Sequence, residues 1–132
     1  MTTENFKNWL KSQIDVGDGI AVGAIDGNKS RFIGVYDSRG GSGSQRLAIG
    51  GKDCTVIGEK RIRILVHWTN SPVQAESKAM EIYNLLEGLS GVSMDGIKVY
   101  AVDPGNTPIP LGRDERGICE YVIEATLIHE RS

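Results

Sequence analysis

Phe6, Trp9, Leu10 and Ile14 recur at intervals of three and four residues, the spacing that gathers side chains on one face of a helix. Thr3 stands ready to cap that helix, and Glu4 follows where the positive end of the helix favours an acid. Asp15-Val16-Gly17-Asp18-Gly19 stops it. Ile20 to Ile25 reads as a strand, Asp26-Gly27-Asn28-Lys29 as a turn, and Arg31 to Tyr36 as the returning strand of a hairpin. Leu47-Ala48-Ile49 is a short strand candidate. The longest alternation runs from Lys60 to Trp68, with Ile62, Ile64, Val66 and Trp68 on one face and Arg61, Arg63, Leu65 and His67 on the other.

Ser71 as cap, Pro72 at the first helical position and Gln74 three residues after the cap announce a second helix with a reciprocal capping box. Ala75, Ala79, Ile82, Tyr83 and Leu86 share its apolar face, Glu76, Lys78, Glu81 and Glu87 lie mostly opposite, and Gly88 or Gly91 supplies a left-handed stop. Ile97 to Val102 and Cys119 to His129 read as two further strands. Between them, Asp103 to Gly117 holds three prolines, which exclude a helix or central strand in its first half and predict a long loop. The predicted fold is a two-layer α+β domain spanning residues 1–132. It has a mixed or antiparallel sheet of about five to six strands, an N-terminal helix and a second helix that crosses over before Ile97.

Charge narrows the function classes. The 15 basic and 17 acidic residues give a net charge of -2 and are interspersed, so no basic stretch is available to neutralise phosphates and nucleic acid is not the expected primary ligand. No apolar run approaches the ~20 residues that cross a bilayer, and the polar Met1-Thr2-Thr3-Glu4-Asn5 opening is unlike a signal peptide, so a soluble, unsecreted protein is expected. Cys54 and Cys119 are far apart with no metal-ligand spacing around them, which predicts two reduced, inert thiols. His67 and His129 lie in strands with no nucleophile set beside them, so packed or solvated imidazoles are expected. No catalytic, cofactor or metal residue is therefore assigned.

Two segments are candidates for contact with other molecules. Asp37, Ser38, Arg39, Gly40, Gly41, Ser42, Gly43 and Ser44 form a stretch without an apolar side chain, which is either a solvated hairpin tip or a loop that orders against a partner. No GK[ST] follows these glycines, so they do not cradle a phosphate. Arg113, Asp114, Glu115 and Arg116 place balanced charge before the last strand. They are either solvent-facing or a register-setting contact between subunits.

The run from Ile62 through His67-Trp68-Thr69-Asn70-Ser71-Pro72 and the following helix, with Ala75-Glu76 and Ala79 to Leu86, resembles the tail-terminator or minor capsid family of long-tailed phages. Pro110 to Gly117 leading into Glu120-Tyr121 is similar to the same family, so the resemblance covers nearly the whole chain. It implies a hexameric ring, monomeric or not when free, that caps the tail tube, stops its polymerisation and joins the tail to the head connector. The implied partners are copies of itself, the tail tube protein and the head-tail connector proteins. The implied site is the tail-head junction of a virion assembled in the host bacterial cytoplasm. A closed ring needs one patch to meet a different patch on the next copy. On this resemblance, residues 37–44 are the expected tube-binding loop and residues 113–116 the expected subunit contact. The alternative is a non-catalytic protein-binding or regulatory domain with no virion role.

Overall fold

The computed structural model describes residues 1–38 and 57–131. The Leu47 to Ile49 strand, Cys54 and residues 39–44 of the glycine-rich stretch lie outside the described residues. In chain order the elements are α1 (Thr3–Gln13), β1 (Gly19–Val22), β2 (Arg31–Asp37), β3 (Ile57–Trp68), α2 (Pro72–Glu87), β4 (Ser90–Met94), β5 (Ile97–Asp103), β6 (Ile109–Arg113) and β7 (Cys119–Glu130). Among the described residues the strands make one seven-stranded mixed sheet in the order β1-β2-β3-β7-β5-β4, with β6 also pairing β7.

The centre of the sheet is the antiparallel pair of β3 and β7, in register from Ile57 opposite Glu130 to His67 opposite Glu120. Strand alternation puts Ile62, Ile64 and Val66 beside Ile123, Ala125 and Leu127 on one face, where all six are buried. Both helices cover that face, contributing Phe6 and Leu10 from α1 and Ala75, Ala79, Ile82 and Leu86 from α2 to the same core. The two expected layers are thus present, with one strand more than expected.

Several local details differ from the sequence reading. Thr2, not Thr3, caps α1: its hydroxyl accepts from the Asn5 amide, and the Asn5 side chain accepts from the Thr2 amide. Thr3 is instead buried inside the first turn. Ser71 caps α2 by accepting from the Gln74 amide, but the reciprocal half of the box is made elsewhere, because the Ser71 amide donates to the Thr69 hydroxyl. Gly88 caps the C-terminus of α2 at φ −97 and supplies no left-handed stop, while Gly91, at φ +63, already lies in β4. Lys78, assigned to the polar face, is buried, with its Nζ donating to the Asp15 carbonyl and 4.7 Å above the Trp68 ring. A long alkyl stem lets such a residue lie along apolar surface while its charge finds partners.

The expected hairpin of β1 and β2 is a parallel pair, with Gly19 opposite Phe32 and Val22 opposite Val35. After Val22 the chain reverses at Gly23 (φ +75) and runs back across the sheet before entering β2. It crosses at Gly34, where a Cβ would stand 2.8 Å from Ile25 Cδ1 and 3.0 Å from the Ala24 carbonyl oxygen. The missing side chain is what allows a parallel return through so short a connection.

β4 was not foreseen. It turns into β5 at Asp95-Gly96, both at positive φ (54° and 85°), the backbone of a tight hairpin turn. The Asp95 carboxylate accepts from the side-chain amides of Asn5 and Asn8, tying this turn to α1 and holding its pKa below the usual carboxylate range. The stretch read as one long loop contains β6, which follows β5 along the same side of β7 and includes Pro110. Proline is compatible with an edge strand because one side of such a strand has no neighbour to receive a hydrogen bond.

Gly34→Val should therefore destabilise the protein by about 2–3 kcal/mol, the cost of overpacking against a backbone carbonyl that cannot yield. Urea denaturation would measure it.

Candidate functional site

His67 projects from β3 onto the face of the sheet away from the helices, yet its side chain is 1% exposed. Two loops shut it in. The β1–β2 connection supplies the Lys29 carbonyl, 2.9 Å from Nε2, and β7 supplies Glu120, 2.9 Å from Nδ1. Each ring nitrogen thus faces an acceptor oxygen, the Lys29 carbonyl at Nε2 and the Glu120 carboxylate at Nδ1.

The turn between β6 and β7 closes over the same ring. Asp114 Oδ1 accepts from the amides of Arg116 and Ile118, and Oδ2 stands 3.7 Å from His67 Nε2. The hydrogen bond from Ile118 foremost, with that from Arg116 and the nearby charges of His67 and Arg116, holds the Asp114 carboxyl below its ordinary range despite opposing desolvation. Arg116 Nη1 reaches across to the Gly27 carbonyl, and Arg113 Nη1 donates to the carbonyls of Asn70 and Gly117. Thr69, held at φ +46, completes the stitching by donating to the Ser30 carbonyl and accepting from the Cys119 amide.

His67, Asp114 and Glu120 present donor atoms within 4.8 Å of one another, so they are the group among the described residues that could hold a metal ion. The geometry favours a hydrogen-bonded polar cluster instead. Glu120 lies against one ring nitrogen while Asp114 and the Lys29 carbonyl lie against the other, so a single nitrogen lone pair does not share a focus with both carboxylates.

Beside this cluster, β6 forms part of the sheet's border. All five of its residues are exposed, including Ile109 and Leu111. A shallow groove of about 200 Å³ separates it from the start of α2, lined by Pro72, Pro110, Gly112, Arg113, Cys119, Glu120 and Tyr121. Val73, 78% exposed, stands in the first turn of that helix.

Of the two segments singled out from the sequence, the described residues Asp37 and Ser38 of the first and Arg113 to Arg116 of the second lie at opposite ends of the sheet. Asp37 and Ser38 close β2 at one end, with Lys60 Nζ 3.1 Å from Asp37 and the Ser38 amide donating to the Arg61 carbonyl. Arg113 to Arg116 lie at the other end, roughly 20 Å away along the strands at about 3.3 Å per residue. Sequence reasoning missed Glu120 and Lys29 as partners of His67, and Gly27 and Asn70 as partners of the 113–116 turn, because their proximity depends on strand register and loop course. His129, the second imidazole, is buried near the other end, where desolvation lowers its pKa.

A family model described as bacteriophage tail terminator protein matches residues 11–131. The chain belongs to this family. A search of curated proteins returns no match. One solved structure shares the fold of this tail terminator with a TM-score of 0.50 and 12% identity, covering 98% of this chain and 95% of the other. The family is structural and non-catalytic, so the protein has a structural role in the phage tail, is a virion component and contacts other tail or head proteins. Among the described residues no helix is long and apolar enough to cross a membrane.

Two outcomes test the cluster. His67→Ala should cost about 2–4 kcal/mol, since it leaves two carboxylates and a carbonyl without their shared partner, and should speed hydrogen exchange at the Ile118 amide. Asp114 ionises more readily in the folded chain than in the unfolded one, so its contribution is full above about pH 4 and is lost as the pH falls through its lower folded value. The stability gap between wild type and Asp114→Asn should accordingly shrink in acid denaturation below pH 4.

Proposed function

We propose that this tail terminator assembles as a hexameric ring on the end of the tail tube, stops the tube's polymerisation and joins the tail to the head connector. The observation that carries this reading is the family match across residues 11–131. Two features of the chain support it. Among the described residues the sheet has borders at β1 on one side and at β4 and β6 on the other, which gives each subunit two different surfaces to offer its neighbours. Asp37 and Ser38, at the start of the segment expected to meet the tube, and the turn expected to meet the neighbouring subunit also sit at opposite ends of the strands, so they need not compete for one surface.

In this reading residues 37–44 dock on the tail tube, and the Arg113 to Arg116 turn takes part in the contact between subunits. Glu115 is exposed, whereas Arg113, Asp114 and Arg116 spend hydrogen bonds on holding the turn in shape. The turn would then act as a preshaped surface, with less side-chain freedom to lose on contact.

Deleting residues 39–44 should leave the thermal unfolding midpoint within a few degrees of wild type and abolish tube capping. Electron microscopy of tail tubes assembled with each protein reads the result. Tubes of normal length, joined to heads, in the presence of the deleted protein would overturn the assignment of the loop. Tubes of unlimited length with the intact protein, and no annular assembly on them, would overturn the terminator ring itself.

A further inference from the structure

The borders of the sheet stand at the same height. Across one row Ala21 pairs Gly34, Gly34 pairs Leu65, Leu65 pairs Val122, and Val122 pairs Ile109. Two residues along, Gly19 leads through Phe32, His67 and Glu120 to Gly112. Among the described residues β1 and β6 are therefore level, at opposite borders of one sheet. β4 is not their equal: it pairs β5, which meets β7 at Thr126 to His129, beyond the rows that β1 occupies.

Strand direction adds a second condition. β1 and β2 run together, β3 against them, β7 against β3 and β6 against β7, so β6 runs opposite to β1. Subunits related by rotation about an axis near the strand direction all point the same way. β6 of one would then meet β1 of the next as an antiparallel pair, with little rise along the axis. A rotation without rise closes into a ring, whereas one with rise generates a filament.

Charge supplies the third condition. In such an antiparallel pair the C-terminal end of β6 lies beside the N-terminal end of β1. Arg113 and Arg116 end β6 and its turn, and Asp15 and Asp18 precede β1. Asp18 lies in register with Arg113, since its amide donates to the carbonyl of Arg31, the β2 residue opposite Trp68, one step past the His67–Glu120–Gly112 row. The strands themselves carry apolar side chains with large exposed members, Val22 on β1 and Ile109 and Leu111 on β6. Pro110 removes one donor from β6, so the ladder is short and depends on these flanking contacts.

We propose that the ring is sealed by strand addition, β6 of each subunit pairing antiparallel with β1 of the next copy, to give a sheet continuous around the ring. This inference rests on the ring reading above and specifies its subunit contact. Antiparallel addition at a sheet border uses main-chain hydrogen bonds for affinity and flanking side chains for choice of partner.

The test is a cross-link between the two borders in a Cys54→Ser background. Ala21→Cys combined with Ile109→Cys, treated with a short bifunctional thiol reagent, should give a ladder of species ending in a closed covalent ring, while each single variant stays monomeric on a denaturing gel. Leu111→Lys should weaken self-association by about tenfold or more, as a charge forced into an apolar contact does, with far-ultraviolet circular dichroism unchanged. Amide exchange at Ala21 and Val22 should slow when wild type assembles. Rings seen by electron microscopy that give no ladder, survive Leu111→Lys and leave those amides unprotected would overturn the strand pairing while keeping the ring. Absence of any ring, alone or on tubes, would overturn both.

Discussion

Everything else in this protein is hung on the register between β3 and β7. These two twelve-residue strands are joined along eleven pairs, and their inward side chains make the middle of the core. The pairing is non-local, bringing Ile57 to Glu130, so closing it carries a large loop-entropy cost that local turns cannot offset. Alternation resolves the choice of register: a slip by one residue would turn Ile62, Ile64 and Val66 outward and Arg61, Arg63 and His67 into the helices. Once that register is set, β2, β5 and β6 have only the remaining borders to occupy.

The outward face follows from the same register. At one end it carries an ion pair open to solvent, Arg63 with Glu124, which contributes little to stability on its own. At the other end the β1–β2 connection and the 113–118 turn fold over it, and the histidine that alternation sends outward ends up buried between two carboxylates and a carbonyl. The two ends of one sheet face thus have different chemistry without any change in strand pattern.

Much of this was legible. Period-two alternation marked β2, β3, β5 and β7 to within a few residues, and the Ser71-Pro72 pair marked the start of α2. The parallel pairing of β1 was not, because a short connection ordinarily means a hairpin and the decisive feature is the space above Gly34. The hairpin of β4 and β5 was signalled by Asp95-Gly96, a dipeptide suited to positive φ at both positions, but weak alternation in Ser90 to Met94 obscured it. β6 was hidden by its prolines, which exclude a central strand but not a border one. As for the site, Arg113 to Arg116 could be picked out as a charged turn. What they touch could not, since Gly27, His67 and Asn70 come from other parts of the chain.

The buried cluster around His67 bears on how a structural protein of the phage tail does its work. Burying charged and polar groups costs desolvation energy, and a hydrophobic replacement of similar volume is often as stable, so net stability is a poor reason for such a cluster. Its geometry does something a hydrophobic contact would not. Hydrogen bonds are directional, and those from His67, Arg113 and Arg116 to named carbonyls and carboxylates fix where the 113–118 turn stands relative to β1, β3 and β7. Greasy contacts in the same place would tolerate a rotated turn. For a tail protein that contacts other tail or head proteins, orientation of a contact surface is the property that matters, and here the buried polar groups set it.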